Sequence, residues 1–322
     1  MAIAVQTNVS SINTTRRLNA ANHKLDTSYQ RLSSGMRINS AKDDAAGLQI
    51  SNRMTTQING YTQGNRNCND GIALAQTAEG ALDEVTSMLQ RIRTLAVQSA
   101  NGTNTTADRK SIQAEVTALS NEITRIACQT TFGGKKILNG EEGANNITLG
   151  GTQAGIMTFQ VGANSEEGDR IDLDLSQKFT VTGLLAKAND GGTAIECSGT
   201  SADTTGVMTG GDEMAASGAD SARFSVTSQA SAQQCIASID KVIALVDSKR
   251  GEMGAVQNRL QSTISNQESV IENQSDARSR IRDTDYATEA AALSQQNIIQ
   301  QAATSMLTQA NSRPQLALSL LG

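Results

Sequence analysis

Proline occurs once in the 322 residues. Proline is the usual interruption of a helix, because its ring removes a backbone donor, so long unbroken helices are open to this chain. Aromatic residues make up 2%, with three Tyr, four Phe and no Trp. Thick globular cores lean on such large side chains, and their scarcity favours a thin bundle packed from Leu, Ile, Val and Ala. The only histidine is His23, which excludes any multi-histidine metal site. Cys68, Cys128, Cys197 and Cys235 form no C-x-x-C pair, so zinc and dithiol redox chemistry have no ligand set. Neither a G-x-x-x-x-G-K-[ST] loop nor a G-x-G-x-x-G after an apolar strand is present. These absences predict no enzyme activity, no cofactor and no bound metal. No stretch approaches the ~18 apolar residues of a membrane span. The opening Met1-Ala2-Ile3-Ala4-Val5-Gln6-Thr7-Asn8 does not read as a signal peptide, which taken alone implies the cytoplasm. Twenty-seven basic against 32 acidic residues give a net charge of −5, against a nucleic-acid partner.

Glycine marks the organisation of what is present. Seventeen of the 27 glycines lie between Gly133 and Gly218, and residues 255–321 have none. The commonest helix-weakening residue is therefore absent from 255–321 and thin over the first 132 residues, and the middle is rich in it. Leu82, Val85, Leu89, Ile92 and Ala96 step by alternating threes and fours, as do Ile112, Val116, Leu119, Ile123 and Ile126. Ile236, Ile239, Ile243, Val246, Met253, Leu260, Ile264 and Ile271 hold one register of the same repeat. That spacing keeps apolar side chains on one stripe of an α-helix, as in coiled coils. Asn101-Gly102-Thr103-Asn104 breaks the first two stripes, and Thr105-x-x-Asp108 reads as a new helix start. A helix over 45–100 at ~1.5 Å per residue spans about 80 Å.

The centre follows another pattern. Ile171, Leu173 and Leu175 alternate with Asp172 and Asp174, as in a half-exposed strand, and Thr158–Val161 and Lys178–Thr182 are further strand candidates. Residues 183–222, rich in Gly, Ser, Thr, Ala and Asp, read as a small surface domain or loose excursion. At the ends, Val5, Val9, Ile12, Leu18, Leu25, Tyr29, Leu32 and Met36 lie near heptad spacing. Residues 290–322 carry a single charge, Arg313, with Ala292, Ile299 and Met306 seven apart and Ala303, Ala310 and Ala317 likewise. A helix too polar for a bilayer and too uncharged for a solvated face suits burial among other helices. It either folds back on its own bundle or forms a subunit contact that orders on assembly. The missing charged face favours the second.

Residues 30–47, Gln-Arg-Leu-Ser-Ser-Gly-Met-Arg-Ile-Asn-Ser-Ala-Lys-Asp-Asp-Ala-Ala-Gly, resemble bacterial flagellin. The likeness continues through Asn69–Leu82, Leu95–Gly102 and Gln129–Leu138, and ends in Ser279–Ala287 and Leu318–Leu321. It covers roughly residues 1–175 and 226–322. The resemblance implies a mainly α fold: an elongated, antiparallel, coiled-coil-like bundle made from both chain ends, with a β-rich region and a small variable central domain. Residues 1–43 and 285–322 would be the inner terminal-helix domain and 44–176 with 226–284 the helical rod. Residues 177–225 would be the variable surface-exposed domain.

The function implied is a structural subunit of the flagellar filament, exported unfolded through the flagellar type III apparatus and therefore secreted without a signal peptide. A hook-filament junction protein or another helical self-assembly module is the alternative. Implied partners are other copies of the chain, the filament cap, hook-junction proteins, an export chaperone and, in a host, the Toll-like flagellin receptor. No membrane partner follows. Arg31, Arg37 and Lys42 beside Asp43 and Asp44 read as a polar clasp at the joint between inner and outer domains, against a merely solvated charged turn. The receptor positions that match are Arg91, Leu95 and Glu115, where Arg91 and Leu95 are four apart and share a helix face. Leu318, Leu320 and Leu321 match positions tied to a cytosolic innate sensor. Some flagellins carry a central protease, but residues 177–226 hold no His.

Four cysteines depart from the flagellin pattern. If helices run antiparallel over 45–100 and 105–128, Cys68 lies about 48 Å and Cys128 about 35 Å from the connecting turn. That mismatch exceeds the ~7 Å Cα reach of a disulfide, so no bridge between these two is expected.

Overall fold

The structure, a computed structural model, describes the backbone of residues 7–140, 155–189 and 224–319 and side chains up to residue 312, Asn189 excepted. In chain order its elements are α1 (Val9–Ser34), α2 (Ala45–Ala100), α3 (Thr106–Gln129), β1 (Thr131–Phe132), β2 (Lys135–Lys136), β3 (Ile156–Gln160), β4 (Arg170–Asp174), α4 (Val181–Asn189), α5 (Gln229–Arg282) and α6 (Tyr286–Ser319). Two antiparallel hairpins, β1–β2 and β3–β4, are the only sheets among the described residues. The chain divides into two compact units, Met1–Asn59 with Ser269–Gly322, and Gly60–Glu268.

The Gly60–Glu268 unit holds the apolar core. Leu74, Leu82, Val85, Leu89 and Ile92 of α2 are fully buried, with Val116 and Ile123 of α3 and Ile239, Val246, Met253 and Leu260 of α5. Side-chain pairs place α2 between two neighbours: Arg91 meets Glu115 of α3, while Arg93 meets Asp240 and Arg250 meets Asp83 across α2 and α5. Two neighbours widen the buried stripe of α2 beyond the predicted seam, to include Leu95 and Ser99. On α5 the buried positions run Ala232, Cys235, Ile239, Val242, Val246, Lys249 and Met253, while Ile236 and Ile243 of the predicted register are half-buried. The start of α3 is the expected one. Thr105 and Asp108 exchange hydrogen bonds, the Thr105 N–H donating to the Asp108 carboxylate at 2.9 Å and the Asp108 N–H to the Thr105 hydroxyl at 3.3 Å.

The β3–β4 hairpin lies against α2 and α5. Asn67 Nδ2 donates to the Gln160 carbonyl at 2.8 Å, and Gln267 Nε2 to the Val161 carbonyl at 2.7 Å. Gly64 makes this approach possible, because a Cβ there would sit 1.9 Å from the Val161 carbonyl oxygen. The strand predicted over 178–182 is not a strand. Thr180 begins a helix instead, its hydroxyl accepting from the Gly183 N–H at 3.3 Å and its carbonyl from the Leu184 N–H at 2.9 Å. Burial of Phe179, Val181, Leu184 and Leu185 in the core outweighs the local preference of β-branched residues for strand. The expected central domain, 177–225, otherwise lies mostly outside the described residues.

One buried cation sits at the end of β4. Lys249 Nζ is 3.1 Å from Asp174 and 2.7 Å from Glu252. Burial works against the charge on Lys249, yet the two carboxylates raise its pKa above the ordinary lysine value. Burial likewise opposes the charge of Asp174, and hydrogen bonds from Ser176 and Lys249 outweigh it to lower that carboxyl. No disulfide links Cys68, Cys128 and Cys235, and burial pushes the Cys68 thiol up. Cys197 lies outside the described residues.

Candidate assembly surface

In the terminal unit, α1 and α6 pack closely along their length. The residues α1 turns inward are Ser11, Thr14, Leu18, Ala21, Leu25, Ser28 and Leu32, at alternating steps of three and four. Small side chains at Ala21, Ser28 and Ala310 are the buried ones, which lets the backbones come near. Amides tie the pair: Asn8 Nδ2 donates to the Ala310 carbonyl at 2.8 Å, and Gln300 Nε2 to the Asn22 side-chain carbonyl at 2.9 Å. The pairing is antiparallel, as these partners show.

What the pair leaves uncovered is more telling. Val9 is 67% exposed, Ile12 62%, Ile298 63% and Met306 63%, and Tyr29 and Ile299 are exposed as well. Heptad spacing had grouped Val9, Ile12 and Tyr29 with Leu18 and Leu25 on one stripe. The structure separates them, because α6 covers only the Leu18–Leu25 side. Two apolar faces on one helix require two partners, and α6 is one.

The connections next to this pair are stitched together. Gly35 ends α1 in the left-handed conformation, φ +69°, which glycine adopts without strain. Met36 and Asp283 form a β-bridge, the Arg37 N–H donates to the Arg282 carbonyl at 2.6 Å, and the Thr284 N–H to the Gly35 carbonyl at 3.0 Å. The Arg37 guanidinium adds a 2.6 Å bond to the Ile281 carbonyl. Arg31 faces Glu289 at 3.6 Å.

The five-residue clasp expected among Arg31, Arg37, Lys42, Asp43 and Asp44 does not close on itself. Its two arginines reach the returning chain, and its acids serve the local backbone. Asp43 accepts from the Ser40 N–H at 2.9 Å, a bond that, with the Ser40 hydroxyl, holds its carboxyl below the ordinary range. Asp44 caps α2 by accepting from the Gly47 N–H at 2.9 Å. Lys42 is exposed and makes no bond among the described residues. Short acidic side chains after Ser and Asn satisfy nearby N–H groups more readily than distant cations. The sequence reading missed Glu289, the lone acid of α6, one residue before the uncharged stretch it counted.

Arg91 and Glu115 do meet, at 2.7 Å on the surface. Leu95 does not share that surface: it is 3% exposed and packs in the core. Leu318, Leu320 and Leu321 lie outside the described side chains.

A family model of the bacterial flagellin N-terminal helical region matches residues 5–142, and one of the C-terminal helical region matches 236–321. The chain belongs to the bacterial flagellins. Flagellin D of Vibrio anguillarum is 40% identical over all of both chains, as is polar flagellin B/D of Vibrio parahaemolyticus, and flagellin D of Vibrio cholerae is 41% identical. Each alignment is longer than this chain, so those relatives carry insertions. The crystal structure of Bacillus cereus flagellin superposes on 63% of this chain and 88% of its own at 23% identity and a TM-score of 0.41, too distant to position a residue. As a flagellin, this chain is a structural subunit of the extracellular flagellar filament of swimming bacteria.

Proposed function

We propose that the α1·α6 pair is the element through which this flagellin polymerises, with the chain ends forming the filament's inner layer. One observation carries the reading: large apolar side chains on both helices, Val9 and Ile12 against Ile298 and Met306, stay in water in the single chain. A two-helix pair with so little burial is marginal alone, and ordering it on assembly defers the entropy cost until partners arrive. Head-to-tail contacts that do not close then extend into a helical filament.

Residues 1–43 with 285–322 act as the inner domain, 44–176 with 226–284 as the rod, and 177–225 as the variable part. The chain has no catalytic task. It leaves the cell unfolded through the flagellar export apparatus. Its other partners are an export chaperone, hook-junction proteins and the filament cap, and Arg91 with Glu115 supplies the exposed part of any contact with a host Toll-like receptor. Purified chains seeded with filament fragments should grow long tubes in electron micrographs, and chains lacking 1–43 and 285–322 should grow none. Tubes from the doubly truncated chain, or none from the intact one, would refute the assignment.

A further inference from the structure

The uncovered surface of α1 carries charge as well as apolar side chains. Over α1 and the described side chains of α6, the charged residues are Arg16, Arg17, Lys24, Arg31, Asp26 and Glu289. Glu289 is taken by Arg31. Asp26 is exposed and has no hydrogen bond or ion pair among the described residues, so it is the one carboxylate of the pair still to be matched. Between the helices lies a crevice of about 420 Å³, lined by His23, Lys24, Ser28, Arg31, Glu289 and Gln296 among others. With His23 neutral its net charge is positive.

Geometry keeps Asp26 away from the crevice of its own chain. At ~100° per residue, Lys24 and Arg31 lie on one face of α1, and Asp26 points about 140–160° from them. Acid on one side and a basic crevice on the other make a surface complementary to a copy of itself, of the heterologous kind that leads to open polymers. Once the pair is packed among copies, a lone carboxylate without a partner would carry a heavy desolvation penalty.

We propose that the Asp26 carboxylate of one subunit enters the crevice of a second copy and pairs there with the Lys24 ammonium. This rests on the filament reading above and adds to it a register for the inner layer. The test is seeded polymerisation, scored as critical concentration across a salt series. Asp26→Lys and Lys24→Glu should each raise the critical concentration about tenfold or more. The double swap, D26K with K24E, should return it to within about threefold of wild type, because every copy then offers the reversed pair. Circular dichroism of the unassembled variants should match wild type, as both side chains are exposed there. Singles without effect overturn the pair, and so do impaired singles that the double swap fails to rescue. The second result would give Asp26 another partner, such as Arg16 or Arg17. Wild-type chains that fail to polymerise refute the filament reading itself, a separate outcome.

Discussion

In the Gly60–Glu268 unit, Leu89 of α2 and Met253 of α5 have no exposed surface, and polar pairs such as Arg93–Asp240 border the seam. In the terminal unit, Ile12 of α1 and Ile298 of α6 are mostly in water, while side-chain amides and small residues occupy the seam. Both regions are built from helices with three-four apolar spacing. Their difference lies in who supplies the covering surface. The middle finds it within the chain, which gives a core that holds its shape alone. The ends leave apolar area uncovered in the single chain, so under the proposed assembly their stability would depend on subunit concentration.

Removing both terminal segments tests that contrast most severely. Chains lacking 1–43 and 285–322 should lose all polymerisation by light scattering, while the main calorimetric transition of the middle stays within a few degrees. Large-to-small changes come next. Leu89→Ala and Met253→Ala should each cost about 2–5 kcal/mol in urea unfolding of the monomer. Ile12→Ala and Ile298→Ala should cost less than about 0.5 kcal/mol there and instead raise the critical concentration severalfold. If both classes weaken the monomer equally, the division of labour is wrong. Gly64→Ala, which drives a Cβ into the Val161 carbonyl, should cost about 1–3 kcal/mol and loosen amide protection in the β3–β4 hairpin.

Acid offers a gentler probe. The Asp43 carboxyl is lowered by the Ser40 N–H, Asp108 by the Thr105 hydroxyl and Asp285 by the Thr288 hydroxyl. A carboxyl lowered in the folded state contributes fully above its ordinary value near 3.8 and loses that contribution as pH falls through the folded value. Melting temperature should therefore decline from about pH 5 toward pH 2. Glu122, through Arg125, and Asp174, through Ser176 and Lys249, are lowered in the Gly60–Glu268 unit as well, so both units should weaken over this range. Asp285→Asn should flatten part of that decline, read in the helicity of the terminal unit. The smallest effect belongs to Glu115→Gln, whose exposed pair with Arg91 is worth under about 1 kcal/mol.

Much of this was open to a reader of the residues. The break at Asn101–Asn104 and the box at Thr105 bounded α2 and α3, because turn and cap chemistry are local. Leu82 to Ala96 and Ile239 to Leu260 marked core helices because a three-four repeat lasting many turns has few other uses. What escaped depended on neighbours distant in sequence. Leu95 looked like a surface partner of Arg91 until α3 and α5 were seen to cover both flanks of α2. Phe179 to Val181 looked like a strand until core burial and the Thr180 cap drew them into a helix start. Arg31 and Arg37 looked like partners of Asp43 and Asp44, yet Glu289 and the Ile281 carbonyl claimed them.

Composition and periodicity were enough to establish a mainly helical chain whose ends carry apolar repeats and almost no charge after Glu289. Helix period, turn residues and scarce proline act over a few neighbouring positions, so they are written in the order of the residues. Which side of α1 meets α6, and which side is left in water, depended on packing between segments almost 300 residues apart. The heptad pattern of α1 is compatible with either side, and only the close approach of α6 through Ala21, Ser28 and Ala310 chooses between them.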